Sequence, residues 1–109
     1  MKVLFDQGTP VPLREFLSGH EVSTAYELGW SALRNGELLA MAEAGGFQVF
    51  VTTDNNLRYQ QNLQERGIAI VVLSTTSWPR IRLRVEDVKL AIDQAAASGF
   101  YEVLIPHAK

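Results

Sequence analysis

Asp6 and Asp54 each close a short apolar run, Lys2-Val3-Leu4-Phe5-Asp6 and Val49-Phe50-Val51-Thr52-Thr53-Asp54. Such runs read as buried strands, which puts one carboxylate just beyond the carboxyl end of each. In an open α/β sheet, ligands gather outside those ends, and two acids meet there only if their strands are neighbours. Two unpaired carboxylates in one small site repel each other, and one takes up a proton unless a cation balances them. Mg²⁺ or Mn²⁺ suits such oxygen ligands, so the pair predicts a divalent-metal site.

The elements that must position these acids alternate along the chain. Lys2 to Phe5 reads as a first strand, after which Thr9 is a candidate N-cap and Pro10 a first helical residue for a helix through Leu17. A brief strand follows around Glu21 to Ser23, then a helical turn from Tyr26 to Trp30. A helix opened by Asn35-Gly36-Glu37 carries Leu38, Leu39, Met41 and Ala42 and is stopped by Gly45-Gly46. Val49 to Val51 has the composition of a buried parallel strand, and Asp54-Asn55-Asn56 caps a helix through about Glu65. Ile68 to Leu73, the most apolar run, should be a central strand. A polar loop, Ser74 to Pro79, leads into one helix from about Arg80 to Ala97, with Ile81, Val85, Val88, Ile92 and Ala95 on one side. Phe100 to Ile105 is a last, edge strand. This alternation predicts a three-layer α/β/α sandwich around a mainly parallel five-stranded sheet, order 2-1-3-4-5, wound with right-handed connections.

The chain has 109 residues, 47% of them hydrophobic, which fits a single domain spanning 1–109 with an ordinary core. No run is long enough to cross a bilayer, and Asp6 comes too early for a signal peptide, so a cytoplasmic protein is expected. Cysteine is absent, which removes disulfides, thiolate zinc sites and thiol nucleophiles together. A formal net charge of -2 argues against coating nucleic acid by charge alone, though a local basic patch could hold a short RNA segment.

Val3-Leu4-Phe5-Asp6, Gly19-His20-Glu21-Val22, Asn35-Gly36-Glu37-Leu38-Leu39 and Val51-Thr52-Thr53-Asp54 come in the order of PIN-like proteins, and the sequence resembles their small, compact branch, related to VapC toxin components. The resemblance spans nearly the whole chain. It implies a metal-dependent ribonuclease, with a toxin's role opposite an antitoxin-like protein, and acids at Asp6, Glu37 and Asp54. Asp6 and Asp54 would bind Mg²⁺ or Mn²⁺ directly, while Glu37 would bind through water or orient the attacking water. Relatives carry an acid and Asn after the first Asp, where this chain has Gln7-Gly8, and a further acid near the T-x-D segment, where it has Asn55-Asn56. Asn56 could offer a carbonyl oxygen, and Glu27 is a reserve acid. This thinner set also fits a catalytically inactive PIN-like module that docks a protein partner. Singly, Asp6 and Asp54 suit ordinary caps at strand-to-helix turns and Glu37 a favourable charge in a first helical turn; together, in that order, they favour a shared acidic site.

Arg58, Tyr59, Trp78 and Arg80 are candidates for RNA contact, since arginine meets phosphate and rings stack bases. Trp78 could equally anchor its loop to the core, and Arg80, Arg82 and Arg84 cannot all face one groove. An exposed Trp30 or Tyr59 could seed a homodimer contact. His20 and His107 lack any metalloprotease spacing and receive no catalytic role. A receiver-like reading fails because there is no adjacent acid pair after the first strand and no lysine after Leu73.

Overall fold

The computed structural model describes residues 1–54, 67–95 and 99–106. Five strands, β1 (Lys2–Phe5), β2 (Glu21–Thr24), β3 (Val49–Thr52), β4 (Ala69–Leu73) and β5 (Phe100–Val103), form one sheet in the order β2-β1-β3-β4-β5. Every pairing is parallel. All nine residues of β3 and β4 are buried, as expected for strands covered on both faces. The edge strands β2 and β5 are only partly buried, which is why their sequences are more polar.

Alternation along the strands builds two cores. Val3, Phe5, Val49, Val51, Val71 and Leu73 point to one face, against Leu13 and Leu17, Ile81 of α2 (Trp78–Arg82), and Val88 and Ile92 of α3 (Val85–Asp93). Leu4, Phe50, Ile70 and Val72 point to the other, against Leu38, Leu39 and Ala42 of α1 (Asn35–Ala44). Each large side chain buried this way contributes roughly 1.5–3 kcal/mol. The sandwich is therefore three-layered. Gly46, at φ +80, takes the left-handed conformation that stops α1, and Lys2 Nζ donates to the Gly45 carbonyl while lying 4.5 Å from the Phe47 ring. A cation is thus placed at the negative end of α1.

Four expectations need correcting. Val11–Phe16 is a 3-10 helix, where an α-helix through Leu17 was expected, and the Tyr26–Trp30 segment is a run of turns. The helix expected over Arg80–Ala97 is two helices: Arg84 adopts φ -127 and ψ 26, and the Arg84 N–H closes onto the Ile81 carbonyl at 2.8 Å. Ile81, Val88 and Ile92 still share one core across the break. Nor can all connections be right-handed. The links β1 to β2 and β4 to β5 step across the sheet in opposite directions yet pass over the same face, so their hands are opposite. The six-residue 3-10 helix shares that face with α2 and α3. The helix expected after Asp54, and Asn56, Arg58, Tyr59 and His107, lie outside the described residues.

Candidate functional site at the carboxyl ends of β1 and β3

β1 pairs with β2 on one side and β3 on the other, Phe5 lying opposite both Thr24 and Val51. The strands that carry Asp6 and Asp54 are therefore neighbours, the condition for their acids to share one site. Beyond Phe5 the Asp6 N–H extends the ladder to the Val51 carbonyl at 3.1 Å, which fixes the Asp6 backbone against β3.

The carboxylate of Asp6, half-buried, is held by two threonines. Thr52 Oγ1 donates to Asp6 Oδ2 at 2.5 Å, and Thr9 Oγ1 to Asp6 Oδ1 at 2.6 Å. Thr9 Oγ1 also lies 3.0 Å from the Val51 carbonyl, so its single proton is shared between the two acceptors. Thr52 is fully buried, and its hydroxyl accepts the Asp54 N–H at 3.0 Å. One buried oxygen thus joins the side chain of the first acid to the backbone of the second. Gly8 lets the chain pass close to β3, because a Cβ at that position would stand 2.7 Å from Thr53 Oγ1 and displace that side chain. Sequence reasoning singled out the acids but missed Thr9 and Thr52 as their holders; the available signal was a threonine preceding the acid in Thr52-Thr53-Asp54.

Two clefts flank Asp6, because the chain leaves β1 toward the 3-10 helix and leaves β2 toward α1. The smaller, about 150 Å³, lies between Asp6, Gln7 and Gly8 and the side chains Trp30, Leu33 and Leu38. The larger, about 270 Å³, is bordered by Asp6, Gln7, Thr9, Arg14, Tyr26 and Glu27.

The remaining expected site residues fall in different places. Glu37 is exposed at the start of α1, where its Oε1 accepts the Arg34 N–H at 3.2 Å; it caps the helix, and its neighbour Leu38 borders the smaller cleft. Glu27 Oε1 accepts from Arg14 Nη1 at 2.8 Å and from the Thr24 N–H at 3.0 Å. The Arg14 hydrogen bond, followed by the Thr24 backbone bond, holds the Glu27 carboxyl below the usual glutamate range. Trp78 packs against the core and meets the Phe16 ring at a centroid distance of 5.8 Å. Arg80 Nη2 donates to the Ile105 carbonyl at 2.8 Å and Arg80 Nε to the Pro106 carbonyl at 3.2 Å, so it fastens the segment after β5. Trp30 is half-buried, edge-on to Phe47 at 6.2 Å. Among the described residues, no group of three or more acids or histidines converges as a metal cage, and no helix is long and apolar enough to cross a membrane.

What the donors can do follows from their valence. A carboxylate offers about four lone-pair sites. Two hydroxyl hydrogen bonds leave Asp6 with acceptor capacity on both oxygens, directed by threonines that are themselves held by β3. A hard cation that keeps most of its water and takes one or two carboxylates fits such a donor set better than one needing a full protein cage. Comparison with protein-family models, with curated proteins and with solved structures returns no match.

Proposed function

We propose that this chain is a PIN-like, metal-dependent ribonuclease, the toxin component of a toxin–antitoxin pair, in which Asp6 and Asp54 hold Mg²⁺ or Mn²⁺. The observation that carries the reading is the Thr52 hydroxyl, which donates to the Asp6 carboxylate and accepts the Asp54 N–H at the ends of adjacent parallel strands. Bound there, the ion would lower the pKa of a coordinated water and offset charge on the phosphate oxygens. Thr9 and Thr52 fix the rotamer of Asp6, so little conformational freedom is lost when it takes a ligand. Glu37 secures the first turn of α1 beside the smaller cleft and acts as a positioning residue.

One observation favours a second reading. Both Asp6 oxygens already accept hydroxyl hydrogen bonds, and Glu37 is engaged in its helix cap, so the acidic set is thin. In that reading the chain is a non-catalytic PIN-like module, and a basic side chain of an antitoxin-like protein occupies the acidic cleft.

Calorimetric titration of Mn²⁺ and Mg²⁺ into the wild type and Asp54→Asn, with an RNA cleavage assay on the same samples, separates the two. Binding and cleavage in the wild type, both lost in the variant, are expected. Absence of metal binding in the wild type at millimolar metal and near-neutral pH overturns the nuclease reading in favour of the partner-binding module.

A further inference from the structure

The larger cleft beside Asp6 has features that holding an ion does not require. Val11 and Tyr26 stand on its border, 48% and 76% exposed. An exposed ring by itself needs no function. Tyr26, however, projects from a turn that is locked throughout. The Glu27 N–H donates to Thr24 Oγ1 at 3.1 Å and the Thr24 N–H to Glu27 Oε1 at 3.0 Å. The Gly29 N–H reaches the Tyr26 carbonyl at 3.1 Å and the Trp30 N–H reaches the Ala25 carbonyl at 2.8 Å. The Arg14–Glu27 ion pair, at 2.8 Å, then ties the turn to the 3-10 helix. The backbone that presents the ring is thus preorganised, and a tyrosine has only two side-chain torsions to fix when something stacks on it.

Gln7 supplies the polar half of the cleft. It is exposed, lines the cleft together with Asp6 and Tyr26, and makes no hydrogen bond among the described residues. Its amide offers both donors and an acceptor, the complement of a base edge. Arg14 is already paired to Glu27, so the cleft contains no unpaired cation to prefer a phosphate among its described residues. Its volume, about 270 Å³, is below the range typical of whole drug-sized ligands and suits one flat ring system.

We infer that this cleft is a nucleobase subsite for single-stranded RNA: a base stacks on Tyr26 with Gln7 at its hydrogen-bonding edge, and the adjoining phosphate lies at Asp6. The inference rests on the ribonuclease reading and adds the element that grips substrate. Duplex RNA is excluded as the ligand of this cleft, because only an unpaired base can leave its stack to enter it.

The test is fluorescence anisotropy with an end-labelled hexaadenylate, and with the same ribose-phosphate chain lacking bases, both with hydrolysis-resistant phosphorothioate linkages, against the wild type, Tyr26→Phe and Tyr26→Ala in Mg²⁺. Gel analysis verifies that the oligomers stay intact, and circular dichroism that the variants are folded. Tyr26→Ala should weaken hexaadenylate binding roughly tenfold, the usual effect of losing a stacking ring, and leave binding of the base-free chain unchanged. Tyr26→Phe should bind as the wild type does. Wild-type binding that is insensitive to Tyr26→Ala, or an equal loss for both oligomers, overturns the base subsite alone. No binding of hexaadenylate to the wild type overturns the subsite and the RNA reading together.

Discussion

Asp6 and Glu27 face the same cleft from the ends of neighbouring strands, yet their charges are treated in opposite ways. Glu27 has a guanidinium at 2.8 Å and a backbone N–H at 3.0 Å, so its negative charge is matched within the turn it stabilises. Asp6 is held by two neutral hydroxyls, and among the described residues no cation is paired with it. Hydroxyls orient a carboxylate without cancelling its charge. The comparison separates the two acids by role: Glu27 is a structural clasp, and Asp6 is fixed in place with its charge still available. A carboxylate in a cleft is a functional candidate when its charge remains to be met from outside, and that criterion picks Asp6 over the reserve acid.

The sharpest way to break this contrast is to remove each charge in turn. Asp6→Asn should abolish metal-dependent cleavage and reduce Mn²⁺ binding below detection, whereas Glu27→Gln should retain both; calorimetry and cleavage assays on the two variants decide it. Equal loss in both would mean the acids act as one set. Asn at position 6 also disturbs the hydroxyls, since an amide has only one acceptor oxygen for two threonine donors. The next effect in size concerns Thr52. Thr52→Val keeps the shape but removes the donor to Asp6 and leaves the half-buried Asp54 N–H without its acceptor. A cost of about 1–3 kcal/mol is expected, with a fall in Tm of several degrees and weaker Mn²⁺ binding. A drop in Tm with unchanged metal affinity would show that the hydroxyl braces the sheet without positioning the site.

The five strands, their order and the pairing of the two strands that carry Asp6 and Asp54 were legible in the sequence, where period and apolar runs report burial and the alternation of elements limits the topology. The fate of particular polar side chains was not. Asp6 and Thr52 meet across 46 residues, and Arg80 reaches the carbonyls of Ile105 and Pro106 some 25 positions ahead; no local pattern encodes either partnership. Trp78 was readable as an RNA contact or as a loop anchor and Arg80 as an RNA contact or as an ordinary charge on a surface helix, and the structure gives each an intramolecular partner. The 3-10 helix was missed for a related reason: Pro10 and Pro12 permit a helical start, but only packing against α2 and α3 sets how tightly that start is wound. Glu37 was readable either as a ligand or as a favourable charge in a first helical turn, and the structure adds what neither reading held, a capping bond from the Arg34 N–H.

Arg80 extends the comparison beyond the site. With its guanidinium on two backbone carbonyls, Arg80→Ala should cost about 1 kcal/mol in a denaturant titration while leaving RNA affinity within error. A loss of affinity without a loss of stability would restore Arg80 to the RNA surface.

The smallest effect is the most specific to the Glu27 clasp. Its folded carboxyl lies below the ordinary glutamate value of 4.5, with the Arg14 hydrogen bond the leading cause. A group lowered on folding contributes stability that is present above its unfolded value and is lost as pH falls through the folded one. Wild-type protein should therefore exceed Glu27→Gln in stability at neutral pH, and the gap should close as the solution is acidified below the unfolded value. Glu27 and Arg14 are both partly open to solvent, so added salt should shrink the gap as well. Denaturant titrations of the two proteins across that pH range, at low and high salt, read both trends. If the gap persists in acid, its source is not the ion pair, and the Thr24 N–H does not explain it either, since protonated Glu27 and glutamine both offer that N–H an oxygen. In that case the charge at position 27 is not matched by Arg14 in the way the contrast with Asp6 requires.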